Sequence, residues 1–472
     1  MCSVTDMARP VYLTQEIRRI EEASAKVAPP LMERAGAAAA ALAARLAGDT
    51  AKDILVLAGP GNNGGDARVV ARLLQERFFR VSVAGTTSEI PANIQWNLVV
   101  DGLFGIGLAR PLEGEYAKLV HYANSRRCPV LALDIPSGLE SDTGRVTGAA
   151  IRATHTITFL GLKPGLLTLD GPDHCGTISV DDLSLQDLPI KVQSGWLAEP
   201  ALFPGLLKPR PRNFHKGVAG ALGIIGGSDG MAGAPLLAGR SALRLGAGRV
   251  YVGMLEQHPL DPGAPELMLR HPDDVLGLDL DAIVIGPGLG QGERAETLLG
   301  AVLASDIACV LDADALNLIS ENADLRKACA RRTSETVLTP HPAEAARLLA
   351  ETTAQVQTDR LKAARSLAAN LHAHVVLKGN GSIVVARDGH WFINTSGNPG
   401  MASAGMGDVL AGFLGALLAQ KYPGEAALVL GVHLHGCAAD ECVRAGAGPV
   451  GLTASELIDP ARRLWNSWLS SS

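Results

Sequence analysis

The sequence predicts an α/β protein of two domains, each with a largely parallel β-sheet between two layers of helices. Short apolar runs recur at intervals of roughly 30 residues, and each leads into a turn rich in glycine or polar residues and then into a helical pattern. Residues 195–213 interrupt this series with four prolines and no regular periodicity. We therefore predict a boundary near residue 205, with domains at 1–205 and 206–472.

The composition argues against several classes of partner. With 47% hydrophobic residues and 53 glycines among 472 residues, the chain is globular and rich in turns. Its net charge is −6 and it has no block of like charge, which argues against nucleic acid or an acidic membrane surface as a partner. A small anionic ligand would therefore be held by backbone amides and a few local cations.

Cysteine spacing and apolar runs bear on the location of the protein. Its seven cysteines are scattered without the spacing of a disulfide framework or a zinc site, which is typical of a reducing compartment. The longest apolar run, Val409–Ala419, has eleven residues and is too short to span a bilayer. The N-terminus also lacks a basic-then-apolar signal pattern. We expect a cytoplasmic homo-oligomer that does not enter the membrane.

One cluster near the C-terminus suggests a metal site. The segment LHLHGCAADEC contains His433, His435, Cys437 and Cys442. On a helix, however, only His433 and Cys437 share a face. A site with four ligands would then need partners from elsewhere in the chain, so we expect no metal here.

The first half places polar residues at the ends of three predicted strands. Strand Ile54–Ala58 leads into the turn 59–66, GPGNNGGD, and then into a helix over Ala67–Arg77. Two further strands end in Asp101 and Asp134. Open α/β sheets bind their ligands at such strand ends, so the convergence of three turns predicts a site.

The sequence of the first of these turns does not by itself determine which ligand it binds. Its glycine spacing matches neither of the common phosphate-binding motifs, so an anion site and a purely structural turn fit it equally well. Asn62, Asn63 and Asp66 add oxygen atoms that suit a hard cation or a ribose better than a bare phosphate.

Three motifs of this half, GPGNNGGDA, DGLFGIGLARP and DIPSGLESDTG, resemble the epimerase domain of the NAD(P)H-hydrate repair family over about residues 10–200. The resemblance implies a Rossmann-like fold, a catalytic Asp134 facing the reacting ring, and a potassium ion bound by Asn63, Asp101 and Ser137. It implies that the hydrated nucleotide is bound by Asn62, Asn63, Gly64, Gly65, Asp66, Gly105, Ile106, Gly107, Leu108, Ala109, Arg110, Pro111 and Asp134. The chain departs from the family at Ala67, where glycine is usual.

The second half repeats the pattern. Predicted strands at 221–225, 282–285, 308–311, 336–338 and 375–377 each end in a ligand-type turn. The last such turn, Gly397–Asp408, precedes the apolar run Val409–Ala419. Glycines before a buried helix can turn backbone amides toward a phosphate. Asp408, at the start of that helix, is either a helix cap or a base that accepts a proton from an attacking hydroxyl.

Six ordered motifs, GGS, GPGLG, DADAL, TPHPAE, LKGNG and GNPGMASAGMGDVLAG, resemble the dehydratase domain of the same family, a ribokinase-like fold, over about residues 206–468. The resemblance implies a catalytic Asp408 and, as phosphoryl donor, ADP or ATP with Mg²⁺. Substrate contacts are implied for Ala234, Gly288, His341 and Asp408. Nucleotide contacts are implied for Lys378, Gly379, Asn380, Gly381, Ser382, Gly405, Met406 and Gly407. Ala404 and Met406 depart from the G-G-[ST]-G-D form of many ribokinase-like proteins, which removes one side-chain donor.

The resemblance thus implies an enzyme that repairs damaged nicotinamide cofactors. It would interconvert the R and S forms of hydrated NADH and NADPH (NADHX and NADPHX), and dehydrate the S form at the expense of ADP, as in bacterial members, or ATP. Two alternatives stay open at this point. The second half could be a plain small-molecule kinase, and the first half could be a nucleotide-binding module without turnover.

Overall fold

The computed structural model describes residues 8–108, 110–185, 195–256 and 260–470. The chain divides into two compact units, Arg9–Trp196 and Leu197–Ser472. The division falls within the proline-containing stretch 195–213. Each unit holds an α/β sheet of its own.

In the first unit, strands and helices alternate along the chain. The strands are β1 (Pro10–Val11), β2 (Asp53–Ala58), β3 (Arg80–Ala84), β4 (Leu98–Gly102), β5 (Val130–Leu133), β6 (His155–Phe159), β7 (Thr177–Asp181) and β8 (Gly195–Leu197). The helices are α1 (Thr14–Ala23), α2 (Leu31–Ala47), α3 (Asn62–Glu76), α4 (Gly114–Asn124), α5 (Pro164–Leu167) and α6 (Gly171–Cys175).

Strands β2 to β7 form a parallel sheet in the order β3-β2-β4-β5-β6-β7. The chain moves from β2 to β3 on one side and then returns to β4 on the other side of β2. The order therefore reverses between β2 and β4. In open α/β sheets the crevice at such a point, beyond the carboxyl ends of the strands, is where ligands bind.

Side chains of β2 alternate between two cores, one on each face of the sheet. Ile54 and Val56 pack with residues of α1, α2 and α3, whereas Leu55 and Leu57 pack with residues of α4. Helices α2 and α3 approach closely at Gly36, where a Cβ would lie 2.2 Å from the Val69 side chain. The three-layer architecture follows from this alternation.

The second unit is larger. Its strands are β9 (Ala221–Gly226), β10 (Arg249–Met254), β11 (Met268–Arg270), β12 (Ala282–Ile285), β13 (Ala308–Leu311), β14 (Thr336–Leu338), β15 (His374–Leu377), β16 (Ser382–Val385) and β17 (Trp391–Asn394). Its helices are α7 (Gly233–Arg244), α8 (Pro272–Leu276), α9 (Glu293–Ala304), α10 (Asp314–Glu321), α11 (Ala323–Ala330), α12 (Pro342–Leu349), α13 (Thr353–Thr358), α14 (Arg360–Leu371), α15 (Met406–Ala419), α16 (Gly424–Cys442) and α17 (Ile458–Ser470).

These strands are ordered β11-β10-β9-β12-β13-β14-β15-β16-β17, parallel up to β15 and antiparallel beyond it. The order reverses between β9 and β12, as it does between β2 and β4 in the first unit. Helices cover both faces: a Cβ on Gly415 of α15 would lie 2.5 Å from Val284, whereas one on Gly223 would meet Val275 of α8. The predicted pair of three-layer α/β units is confirmed.

Helix α16 bears on our expectation that the protein does not enter the membrane. The segment Gly424–Gly446 is long and apolar enough to cross a bilayer by length and composition alone, and 78% of its apolar window is buried inside the fold. The sequence analysis missed it because polar residues such as His433 and His435 interrupt its apolar run. A helix buried in the core of this unit would have the same length and apolar composition.

Two helices begin earlier than the sequence predicted. Helix α3 starts at Asn62 and α15 at Met406, each directly after a glycine in the N-cap position. Gly405 has a φ of 86°, a region that favours glycine. The residues predicted as ligand-binding turns therefore form the first turns of these helices, where backbone N–H groups lack helical partners.

Candidate active sites

The first unit contains a cavity of about 490 Å³ at the carboxyl ends of β2, β4 and β5, which is within the usual range for a small-molecule site. Helices α1 and α2 complete its walls. The predicted substrate-binding residues that line it are Asn62, Asn63, Asp66, Gly105, Ile106, Gly107, Leu108 and Asp134. Three of the predicted turns therefore meet at one cavity.

Five predicted residues of this site are not among those lining the cavity. A Cβ on Gly64 would lie 1.9 Å from the carbonyl oxygen of Gly59, and one on Gly65 would meet Met32, so both glycines allow close packing. Arg110 and Pro111 are exposed. Ala109 lies outside the described residues. Ala67, where the chain departs from the family, is buried against β4. A Cβ on Gly102 would lie 2.4 Å from the Ala67 methyl group.

Asp134 stands directly after β5 with a φ of 65°, an unusual conformation for a residue other than glycine. Its Oδ1 accepts a hydrogen bond from Nζ of Lys163 at 2.5 Å. Lys163 is fully buried and also donates to Oγ1 of Thr158 at 2.7 Å and to the carbonyl oxygen of Phe159 at 2.8 Å. All three protons of the ammonium group are therefore engaged, and the Asp134 carboxylate is held in place.

Two other carboxyl groups line the same cavity. Burial, followed by the charges of Asp134 and Glu21, raises the pKa of Asp66 to about 8. Burial, followed by the charge of Asp134, also raises the pKa of Glu21 in α1. The sequence analysis missed Glu21 and Lys163, since Glu21 lies in a helix interpreted as packing and Lys163 in a segment that matched no motif.

Asp101 and Ser137 meet beside this cavity. Fully buried Asp101 accepts hydrogen bonds from the Ser137 backbone N–H at 2.8 Å, from its hydroxyl at 2.7 Å and from the Leu103 N–H at 3.2 Å. Burial nevertheless raises the pKa of Asp101 to about 6.

Asn63 lies close to that pair. A Cβ on Gly102, the neighbour of Asp101 in the chain, would lie 2.9 Å from the Asn63 carbonyl oxygen. The two polar atoms of the Asn63 carboxamide are buried and have no hydrogen-bond partner among the described residues. Buried polar groups of this kind usually have a partner, so a ligand that supplies one is expected here.

In the second unit, Asp408 lies in the first turn of α15. No side chain caps this helix among the residues described, so Asp408 is not acting as its cap. A Cβ on Gly407 would lie 3.4 Å from Nζ of Lys378 and 3.6 Å from Oδ2 of Asp312. The glycine therefore lets a lysine and a second carboxylate approach the N-terminus of the helix.

Asp312, which follows β13, holds Lys378. Its Oδ1 accepts from Nζ of Lys378 at 3.1 Å and from Oγ1 of Thr339 at 2.6 Å. Burial and the charge of Asp312 raise the pKa of Asp408 to about 6, an effect that Lys378 partly offsets. Asp408 is therefore a carboxylate at neutral pH whose basicity is well above that of an exposed aspartate.

His341 and Glu344 lie near Lys378, whose Nζ is 4.0 Å from Oε2 of Glu344. Nδ1 of His341 accepts from the N–H groups of Ala343 and Glu344 at 3.1 and 3.3 Å, so His341 caps α12. Burial and the charge of Lys378 lower the pKa of His341, while burial raises that of Glu344 to about 6. His341 therefore presents a neutral imidazole.

Arg360 stabilises the loop Lys378–Ser382 through hydrogen bonds to backbone carbonyl groups. This buried guanidinium donates to the carbonyl oxygens of Asn380 at 2.5 Å and of Leu377 and Lys378 at 3.2 Å. Gly379 has a φ of 147°, and a Cβ there would lie 2.6 Å from Arg360. The sequence analysis missed Arg360, which binds carbonyl groups and thereby fixes the direction of the loop amides.

The remaining predicted contacts lie at the reversal between β9 and β12. A Cβ on Gly288 would lie 3.4 Å from that of Ala234, so the two residues adjoin. Helix α7, which carries Ala234, also contacts the start of α15, where a Cβ on Gly405 would lie 2.8 Å from Leu237. The predicted substrate and phosphate contacts thus belong to neighbouring elements.

Among the described residues, the candidate metal ligands that lie together in a group of three or more do not include the α16 cluster, and the absence of a metal there stays a prediction. Nε2 of His433 lies 3.3 Å from Sγ of Cys437, one helical turn away. His435 points elsewhere, into the core, with its ring 6.1 Å from that of Phe413.

Comparisons with known proteins show the family to which the chain belongs. Residues 222–462 match the family model for NAD(P)H-hydrate dehydratase, and residues 29–97 and 82–165 match the model for the YjeF-related protein N-terminus. The bifunctional NAD(P)H-hydrate repair enzyme of Escherichia coli (strain K12) is 40% identical, over 97% of this chain and 94% of its own length. The chain belongs to the bifunctional NAD(P)H-hydrate repair enzymes. The member from Coxiella burnetii is 37% identical, over 97% of this chain and 99% of its own.

Solved structures resemble the second unit of this repair-enzyme chain. The ADP/ATP-dependent NAD(P)H-hydrate dehydratase of Bacillus subtilis, co-crystallised with ATP and Mg²⁺, is 30% identical with a TM-score of 0.51, covering 58% of this chain and 98% of its own. A ribokinase-like superfamily protein of Enterococcus faecalis is 27% identical with a TM-score of 0.50, covering 56% and 94%. The predicted ribokinase-like fold is confirmed. The comparisons support the repair activity and not the alternative of a kinase fused to a binding module.

Proposed function

We propose that the chain repairs NADHX and NADPHX in two steps that take place in separate units. The first domain, residues 1–205, interconverts the R and S hydrates, and the second, residues 206–472, dehydrates the S form. One observation carries this division: each sheet has its own order reversal, and at each site a lysine binds an aspartate that follows a strand. Each unit thus has a complete set of ionisable groups.

The first reaction is inversion at C6 of the hydrated nicotinamide ring. The ring nitrogen lone pair helps the C6–O bond to break, and water adds again on the other face. Asp134 lines the cavity and is our candidate for the acid/base that serves this exchange. The other cavity residues would position the ring and the dinucleotide.

The residues expected to bind potassium fit such an ion. The Asn63 carboxamide is buried without a hydrogen-bond partner among the described residues, and the fully buried Asp101 has no cation within ion-pair distance there. Ser137 and the carboxylate supply further oxygen atoms of the kind that hard cations prefer. A bound K⁺ would supply positive charge that favours the ionised Asp101 and orders the turn after β4.

The second reaction requires activation of a poor leaving group. Hydroxide leaves C6 reluctantly, whereas phosphate leaves readily, so the enzyme would first phosphorylate the C6 hydroxyl. Asp408 accepts the hydroxyl proton, and the amides of Gly405–Gly407 bind the transferring phosphoryl group. Lys378 and the loop up to Ser382 bind the nucleotide, while Ala234, Gly288 and His341 contact the hydrate.

The phosphoryl donor is ADP or ATP, and a bound Mg²⁺ would supply positive charge that offsets the charge of its phosphates. The Bacillus subtilis dehydratase was co-crystallised with ATP and Mg²⁺, which supports nucleotide use by the second unit. The cytoplasmic location and the homo-oligomeric state stay predictions.

The test is to incubate the protein with an R,S mixture of hydrated NADH and either nucleotide, and to follow the return of dihydronicotinamide absorbance. Complete recovery is expected, faster than the spontaneous interconversion of the two forms allows. Accumulation of a stable phosphorylated hydrate would instead indicate a kinase. An R form that persists at its spontaneous rate would indicate a first unit that binds without turnover.

A further inference from the structure

The first cavity contains two aspartates in unlike surroundings. Asp134 has a buried ammonium group at 2.5 Å. Asp66 is the fifth residue of α3 and makes no ion pair with any described residue; the charges that act on it most are those of two other acids, Asp134 and Glu21. Both side chains line the same cavity. In the turn after β4, a Cβ on Gly105 would lie 3.3 Å from Oδ2 of Asp134.

We propose that Asp66 is the proton donor of the epimerase reaction and that Asp134 is the proton acceptor. Lys163 is then a positioning residue that holds Asp134 in this role. This inference rests on the epimerase function proposed above and extends it, because that function assigned acid/base work to Asp134 alone. Asp66 touches the cavity and is a catalytic candidate, whereas Lys163 acts only through Asp134.

The step balances in protons and electrons. The Asp66 carboxyl gives its proton to the C6 hydroxyl, the C6–O bond breaks with its electron pair on oxygen, and water leaves as the ring nitrogen lone pair forms a C=N bond to C6. A water molecule then adds to the opposite face of C6, and its extra proton goes to the Asp134 carboxylate. Exchange with water in the open cavity returns the proton to Asp66, so that no other reactant is needed.

The charges around the cavity support this division of labour. Lys163 donates to Asp134 and to two neutral oxygens, so its positive charge lies directly against the Asp134 carboxylate. At Asp66, burial and two neighbouring acids favour the protonated form, and its pKa of about 8 leaves most of the group protonated at neutral pH. Arg18 also lines the cavity, where its positive charge offsets part of the rise in the pKa of Glu21. Two carboxyl groups with opposite proton states are what an acid/base pair requires.

The first test is Asp66→Asn in the full-length protein, with purified R hydrate as substrate and conversion to the S form as the readout. We expect kcat to fall about 10²–10⁴-fold with little change in KM, because the amide keeps the shape but supplies no acidic proton. Asp173→Asn, an exposed position on α6, is the matched control and should keep the wild-type rate. Dehydration of the S hydrate by the second unit of each variant shows that the protein is folded.

The second test is the pH dependence of the wild-type rate, which does not depend on the stability of any variant. The rate should fall as the pH rises above about 8, as Asp66 loses its proton. Lys163→Met should move the pH optimum upward and lower the maximum, while Lys163→Arg should restore part of the rate. A purely structural role for Lys163 would lower the rate equally at every pH.

The outcomes separate this inference from the function on which it rests. If the wild-type protein does not convert the R to the S hydrate above the spontaneous rate, the proposed epimerase function fails. If the wild type is active but Asp66→Asn raises KM and keeps kcat, Asp66 only binds substrate and the inference is wrong. A wild-type rate that stays constant from neutral pH to above pH 9 would overturn it equally.

Discussion

Replacing Asp408 by asparagine should separate the two interpretations of this residue, because a cap contributes to stability whereas a base contributes to the rate. A cap lost from a helix costs about 1 kcal/mol, although asparagine caps nearly as well as aspartate. The structure shows no cap here. Loss of a base instead lowers the rate about 10²–10⁴-fold, which corresponds to about 3–5 kcal/mol of barrier.

The stability change follows from the pKa of Asp408. Burial and Asp312 raise this pKa from 3.8 to about 6 in the folded protein, so the folded state holds the proton more tightly than the unfolded state. Ionisation therefore opposes folding: the destabilisation grows as the pH rises from about 4 to 6 and is constant above. At neutral pH it amounts to about 2 kcal/mol once partial exposure of the carboxyl is allowed for. Asp408→Asn removes it.

We therefore expect Asp408→Asn to raise the melting temperature of the second unit, without nucleotide at pH 7, by roughly 4–8 °C. The gain should vanish near pH 4. The same variant should bind nucleotide, interconvert the two hydrates normally and scarcely dehydrate the S form.

Calorimetry at two pH values and the absorbance assay measure both effects. Asp324→Asn, an exposed aspartate in the first turn of α11, is the control and should change neither dehydration nor melting appreciably. Near-normal dehydration by Asp408→Asn would refute the assignment of the base. A lower melting temperature would show that the carboxylate supports the helix.

Three further predictions concern the separate units. Dehydration should fall about tenfold per pH unit below about 6, since Asp408 must be ionised to accept a proton; a rate–pH profile on the S hydrate checks this. Replacing K⁺ by a larger organic cation should slow epimerisation more than dehydration, and equal loss would remove the cation site from Asn63, Asp101 and Ser137. Residues 206–472 alone should dehydrate the S hydrate and leave the R hydrate behind, and rapid clearance of both forms would contradict separate active sites.

The sequence predicts the parts of this protein that are local along the chain. The strands at 282–285, 308–311 and 336–338 have the bounds expected from their apolar runs. Asp134 and Asp408 could be singled out as candidates because Asp134 ends a predicted strand and Asp408 directly follows a glycine at the start of a helix. Such signals lie within a few residues of one another and reflect backbone geometry.

The residues that the sequence analysis missed act over long distances along the chain. Lys163 is 29 residues from Asp134, and Asp312 is 66 residues from Lys378. Nothing near Lys163 distinguishes it from a surface lysine, because its role comes from burial, and burial is set by the packing of several elements. Arg360 is similar: it binds the carbonyl groups of a loop some 20 residues away.

Comparison of the two sites shows how one electrostatic arrangement can serve opposite proton transfers. In each, a lysine binds the aspartate that follows a strand, and another aspartate, within the first five residues of a helix that begins after a glycine, has a raised pKa. At Asp66 two acids add to burial, and the pKa reaches about 8; at Asp408 the attraction of Lys378 offsets part of the shift, and the pKa stays near 6. Neutral pH lies between these values. The first group is therefore ready to give a proton to a departing hydroxyl, while the second is ready to take one from an attacking hydroxyl.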